Sequence, residues 1–283
     1  MTLGQAVVYG VVQGLTEYLP VSSTAHLRIV PALLGWDDPG AAFTAVIQIG
    51  TLIAVLGYFS KDILRIVQAT VQGITTGKPF ETFDSRMGWM IVIGTVPVVV
   101  LGLLFKKNIE TNLRSLYVIA TAMIVLALVL MLAEWRVRRR ARAGHKLKEL
   151  SDLSWMDSIV VGLSQAVALI PGSSRSGVTI TGGLFLGMTR ETAARFSFLL
   201  SLPAVFAAGV YELIKQRHQL LDTQAHAIDL AVGTFVSLVV GYASIAFLLG
   251  YLKKHTTYLF IVYRLIVGFS LLWLLHVGKL QPI

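Results

Sequence analysis

Apolar positions dominate this chain in long runs, and the length and purity of those runs sort them into two kinds. Residues 41–59, 88–105, 115–134, 193–212, 227–251 and 257–277 approach the roughly 20 apolar residues a helix needs to cross a bilayer. Residues 5–34 and 156–188 are apolar on average but carry Gln, Glu, Pro, Ser, His or Arg in mid-segment, each costly when facing lipid. Such segments persist where broken backbone lines a cavity inside the protein, so both read as re-entrant helix pairs. The pattern predicts an all-α polytopic membrane protein.

The two interrupted segments resemble each other. Gly10-Val-Val-Gln13 followed by Pro20-Val-Ser22-Ser23 matches Gly162-Leu-Ser-Gln165 followed by Pro171-Gly-Ser173-Ser174, at an offset of 151 to 152 residues. FTAVIQIG from Phe43 and FSFLLSLP from Phe196 continue the match at an offset of 153, and Gly94-Thr95 aligns with Gly233-Thr234. This predicts two repeats, residues 1–150 and 151–283, each a re-entrant pair plus three transmembrane helices. Three crossings is an odd number, so the second half enters from the opposite side. The repeat is then of inverted topology, and its broken helices meet near the midplane.

Composition agrees: 55% of residues are hydrophobic and 14% charged, against about 25% charged in a soluble domain. A net charge of +9 would point to nucleic acid in a soluble protein. Here the excess sits between apolar spans, and no nucleic-acid partner is expected. Loops 60–87, 135–155 and 252–256 carry 13 Lys and Arg, whereas 106–114, 213–226 and Lys279 carry 6. The positive-inside rule then places the first set in the cytoplasm and both termini in the periplasm of a bacterial inner membrane. The run Arg136, Arg138, Arg139, Arg140, Arg142 reads as a topology determinant rather than a lipid-binding patch. The absence of cysteine excludes disulfides, thiolate ligands and a thiol nucleophile. With no basic stretch before Gly4, and Gln13 and Glu17 interrupting its apolar run, the first segment does not read as a cleaved signal peptide.

The candidate chemistry lies in the two broken segments. In QGLTEYLPVSSTAH, Gln13 and Glu17 are four apart and share a helix face, and Pro20 ends that helix. Ser22 or Ser23 can cap the next helix, whose free N–H groups favour an anion, and His26 follows one turn later. In PGSSRSGVT, Gly172 permits a tight backbone approach, Ser173 or Ser174 caps the following helix, and Arg175 places a permanent charge in its first turn. A guanidinium beside hydroxyls and N-terminal amides suits a phosphate or diphosphate. One cationic clamp, two helix N-termini and one base amount to equipment for phosphoryl transfer.

These motifs closely resemble the undecaprenyl-diphosphate phosphatase family over nearly the whole chain. Its Glu/Gln-x-x-x-Glu element is present as Gln13 to Glu17, followed by LPVSSTAH, and its PGxSRSxxT element as PGSSRSGVT. Many members have glutamate where this chain has Gln13, leaving Glu17 as the carboxylate of the element. The resemblance implies removal of a phosphate from the C55 carrier-lipid diphosphate for reuse in peptidoglycan synthesis, bacitracin resistance, and an assisting magnesium or calcium ion. Ser23, His26, Ser174, Arg175, Ser176 and Thr179 occupy matching motif positions. The expected mechanism has Arg175, Ser174, Ser176 and Thr179 grip the diphosphate, with Gln13, Ser22 and Ser173 among the substrate-binding groups. Ser23 attacks phosphorus, His26 takes its proton, and Glu17 orients His26 or holds the metal. Attack by water activated by His26 or Glu17 is the alternative within the same site. The rival from another class is a lipid-phosphate transporter or flippase, since inverted repeats are also transporter architecture. Assembly into a homo-oligomer is left open.

Overall fold

Helix α1 (Leu3–Tyr18) starts at a reciprocal capping box between Thr2 and Gln5 and stops at Leu19, which Pro20 holds in an extended conformation. Helix α2 (Ser23–Leu34) runs on to a left-handed Gly35. After it come α3 (Gly40–Tyr58), α4 (Ser60–Thr75), α5 (Phe83–Leu104) and α6 (Leu116–Arg142). The later part of the chain forms α7 (Trp155–Val167), α8 (Arg175–Phe185), α9 (Arg190–Leu220), α10 (Gln224–Lys254) and α11 (Tyr258–His276). This computed structural model describes residues 1–105, 115–220 and 223–282, with Ile109 and Leu113. Among the described residues the fold is entirely helical, without a strand. Expectations for loops 106–114 and 213–226 fall partly outside them.

Helices α5, α6, α9, α10 and α11 are each long and apolar enough to cross a membrane, and α3 with α4 makes a sixth candidate bent by 80°. The chain is thus a multi-pass membrane protein. Two expectations need correction. Residues 60–75 form a helix and not a plain loop, because Lys61, Asp62, Arg65, Gln68 and Gln72 alternate at helical spacing with Ile63, Ile66 and Thr70. Helix α6 also outruns its apolar stretch of 115–134, continuing through the arginine-rich run to Arg142. At that junction the fully buried Glu134 accepts from Arg190 Nε at 3.0 and 3.1 Å and from the Thr257 hydroxyl at 2.9 Å, tying α6, α9 and α11 together.

Helix α1 packs along α10 and α7 along α5, while α3 lies against α9 and α10, and α6 against α11. Several of these crossings are so close that only glycine fits. A Cβ at Gly10 would sit 2.6 Å from the carbonyl oxygen of Gly233, and one at Gly162 would sit 2.4 Å from that of Gly94. Small residues let backbones meet where apolar burial gives no drive between helices in lipid. Gly162→Val should therefore overpack the α5–α7 crossing and destabilise the protein by about 1–3 kcal/mol, read as a lower melting temperature in detergent.

Between the crossings lies an aromatic core. The Tyr18 and Phe198 rings meet edge to face at 5.0 Å, and the Tyr18 hydroxyl donates to the Thr51 carbonyl. This fixes the end of α1 against α3 and α9, one residue beyond Glu17.

Candidate active site

The two helix breaks come together, and they share an uncommon backbone conformation. Ser22 (φ 78°) and Ser174 (φ 68°) are the non-glycine residues with positive φ among the described residues. Such conformations cost about 1–3 kcal/mol each and persist where the surroundings over-determine them. Each serine caps the helix after it: Ser22 Oγ accepts from the Ala25 amide at 3.3 Å, and Ser174 Oγ from the Gly177 amide at 3.1 Å. Of the two candidates in each segment, the caps are therefore Ser22 and Ser174. Ser23 and Arg175 become the first residues of α2 and α8. Thr24 Oγ1 accepts from the Gly172 amide at 3.4 Å, and the Ser176 hydroxyl donates to the Leu19 carbonyl at 3.1 Å, joining one break to the other.

Glu17 is the hub. Its Oε2 accepts from Gln13 Nε2 at 2.8 Å and from the Ser23 hydroxyl at 2.7 Å. Its Oε1 accepts from Gln48 Nε2 at 2.7 Å and from Arg175 Nη2 at 2.8 Å. The carboxylate thus joins the candidate nucleophile to the candidate clamp, which lies 158 residues beyond Glu17 in sequence. Arg175 uses one nitrogen in this pair, while its Nε and Nη1 are buried without a partner. Buried donors are normally satisfied, so two open ones on a guanidinium mark a place for an anion.

The other expected residues divide. The expected pairing of Ser23 with His26 is not what the structure brings together. His26 Nδ1 lies 2.7 Å from the Ser22 carbonyl oxygen, and Nε2 lies 2.7 Å from the Tyr263 hydroxyl. Facing a carbonyl, Nδ1 must carry the proton, and in neutral imidazole Nε2 then accepts from Tyr263. Glu17 does not orient His26 either, because its four partners lie elsewhere. Gln13 serves Glu17. Ser22 is a cap, and Ser173 donates to the Ile170 carbonyl at 2.6 Å. Thr179 bonds the Ser197 hydroxyl at 2.6 Å and donates to the Arg175 carbonyl at 2.8 Å, supporting α8 from behind. Ser174 and Ser176 lie 3.2 Å apart, oxygen to oxygen, beside Arg175.

Sequence reasoning missed Gln48, Tyr263 and Arg264. Gln48 and Arg264 stand out as polar residues inside spans 41–59 and 257–277, where a lone amide or cation must face the protein interior. Nothing in the sequence marks Tyr263.

The geometry also bears on the expected metal. An ionised carboxylate has about four lone-pair sites, and the donors on Glu17 fill them. Among the described residues no group of three or more His, Cys, Asp or Glu side chains could hold a metal ion. Magnesium and calcium take several oxygen ligands. The described side chains thus form no ready-made cage for a divalent ion, and in this structure Glu17 is bonded to Gln13, Ser23, Gln48 and Arg175.

Over 281 residues the chain is 65% identical to a protein of Chloroherpeton thalassium named undecaprenyl-diphosphatase, covering 99% of both chains. Proteins of the same name from Chlorobium phaeobacteroides and Chlorobaculum tepidum are 62% and 60% identical, each across 99% or more of both chains. The family model described as bacitracin resistance protein BacA matches residues 6–270. With relatives this similar along their full length, the chain belongs to the BacA bacitracin resistance protein family.

Proposed function

We propose that the protein is an integral membrane phosphatase that hydrolyses undecaprenyl diphosphate to undecaprenyl phosphate and inorganic phosphate. This recycles the carrier lipid for peptidoglycan synthesis and confers bacitracin resistance. The names of the full-length relatives support the reaction. The observation that carries it is Glu17, which holds the Ser23 hydroxyl and the Arg175 guanidinium in one cluster while two Arg175 donors remain open.

In the proposed mechanism the diphosphate binds to Arg175 Nε and Nη1 and to free first-turn amides of α2 and α8. Ser23 Oγ attacks the terminal phosphorus as Glu17 takes its proton. The bond from that phosphorus to the bridging oxygen breaks, and undecaprenyl phosphate leaves. Glu17 passes the Ser23 proton to the departing undecaprenyl phosphate; water then attacks the phosphoserine, Glu17 taking a proton from it and returning that proton to Ser23 Oγ as the phosphorus–Oγ bond breaks and phosphate departs. His26 is a positioning residue here, holding the Ser22 carbonyl. No step passes through a metal ion. Any divalent cation is proposed to arrive on the phosphates of the substrate, not as a ligand of Glu17.

Two further features belong to this proposal. The matched breaks, the paired glycine crossings and the exchange of α1–α10 for α7–α5 support an inverted repeat of residues 1–150 and 151–283. The excess of Lys and Arg supports a cytoplasmic 135–155 loop and periplasmic termini in the inner membrane. A reporter that is active only outside the cytoplasm, fused after Ile283, should therefore be active. Activity of a cytoplasm-only reporter there would reverse the orientation.

Purified protein in detergent should release inorganic phosphate from a polyprenyl diphosphate. A protein that moves the lipid across vesicles but leaves the diphosphate intact would be the flippase instead.

A further inference from the structure

We infer that Tyr263 and Arg264, consecutive on α11, form a positioning pair that sets the two helix breaks against each other. Neighbours on a helix point about 100° apart, so one turn of α11 can address two different segments. Tyr263 reaches the first break: its hydroxyl meets His26 Nε2 at 2.7 Å, and the two rings stack with centroids 5.6 Å apart. Through His26 Nδ1 this support extends to the carbonyl of Ser22, the residue before Ser23. Arg264 reaches the second break, donating from Nη1 to the Ser173 carbonyl at 3.0 Å and from Nη2 to the Gly172 carbonyl at 3.2 Å. Its remaining contacts, to the Ala122 and Met123 carbonyls at 3.3 and 3.2 Å, anchor it on α6.

Arg264 is 1% exposed, and each of its partners is a neutral main-chain carbonyl. A buried cation without a counter-ion is retained only where something else requires it. An apolar side chain would fill the space without the desolvation cost, but it could not hold four carbonyls. The motif makes room for it as well, since a Cβ at Gly177 would lie 2.8 Å from Arg264 Nη1. Two of the carbonyls it holds belong to the two residues before Ser174, so it fixes the turn that aims Arg175. Both breaks therefore hang from adjacent side chains of one helix, and their alignment sets the Ser23–Glu17–Arg175 cluster.

The effect on rate rests on the phosphatase reading, whereas the effect on geometry does not, so the test measures both. The chain has no cysteine, and Thr24 and Gly172 are neighbours across the breaks. A Thr24→Cys, Pro171→Cys pair therefore reports the alignment through its rate of disulfide formation. Tyr263→Phe and Arg264→Gln should each slow that crosslinking. In chains with native Thr24 and Pro171, each should lower kcat for phosphate release on the order of 10²-fold, with KM little changed. Tyr263→Phe and Arg264→Gln together should lose no more than the worse single variant, because misalignment by either break is already misalignment.

Unchanged crosslinking in both variants would overturn the inference, as would losses in kcat that multiply. If Arg264→Gln fails to fold, Tyr263→Phe, which removes one oxygen and keeps the stacked ring, decides alone. An unsubstituted protein that releases no phosphate would refute the phosphatase reading, and the crosslinking rate would still decide the positioning role.

Discussion

Glu17→Gln is expected to lower phosphate release by about 10²–10⁴-fold, the usual contribution of a general base. The amide keeps the size of the side chain but cannot take the Ser23 proton, and it leaves Arg175 without the charge that pairs with it at 2.8 Å. Ser23→Ala should lose at least as much if Ser23 is the nucleophile. The double variant should be little worse than either single one, because the two act as one unit joined by a 2.7 Å hydrogen bond. His26→Ala should cost less and should combine with Ser23→Ala differently, since the imidazole makes no hydrogen bond to the Ser23 hydroxyl. Turnover measured across this set, on protein that remains monodisperse, separates a glutamate base from a histidine base. Full non-additivity of Ser23 with His26 and independence from Glu17 would reverse the assignment.

Arg175→Lys is the second large effect, a loss on the order of 10²-fold or more in turnover. Lysine preserves the charge and can still pair with Glu17 Oε1. It cannot also supply donors where Nε and Nη1 now stand buried and open. The loss should appear together with weaker binding of a nonhydrolysable diphosphate analogue, whereas Glu17→Gln should spare that binding more. Near-normal turnover and analogue binding in Arg175→Lys would remove the reason to place the phosphates on this guanidinium.

Much of this site is legible in the amino-acid sequence, because membrane interiors make polar residues rare and therefore informative. Gln13 and Glu17 at helical spacing, Pro20, the serine pairs and Arg175 mark two broken helices and their chemistry. The partnerships are less legible. Residues 22–26 place Ser23 and His26 within one turn, and proximity in sequence implies a bond between them. The left-handed Ser22 instead turns its carbonyl into the path of His26 Nδ1, leaving Ser23 to Glu17 on the preceding helix. Gln48 and Arg264 act only across helices, so their roles depend on packing that periodicity does not encode. Helix α4 is hidden in a charged loop because its apolar side is short and its polar side resembles a linker. The apolar boundaries of α6 fail for the opposite reason, since a helix can continue into water once its residues favour one.

The central claim is that Ser23 attacks the terminal phosphorus with Glu17 as its base, and one measurement addresses it directly. Purified protein is mixed with a polyprenyl diphosphate labelled in its terminal phosphate, quenched in acid at successive times, and the label on the protein is mapped. The mechanism predicts that labelled phosphoserine at Ser23 appears before free phosphate, does not form in Glu17→Gln at a comparable rate, and is absent in Ser23→Ala. Free phosphate formed at full rate in Ser23→Ala, with no label on the protein at any time, would contradict it and assign the attack to water.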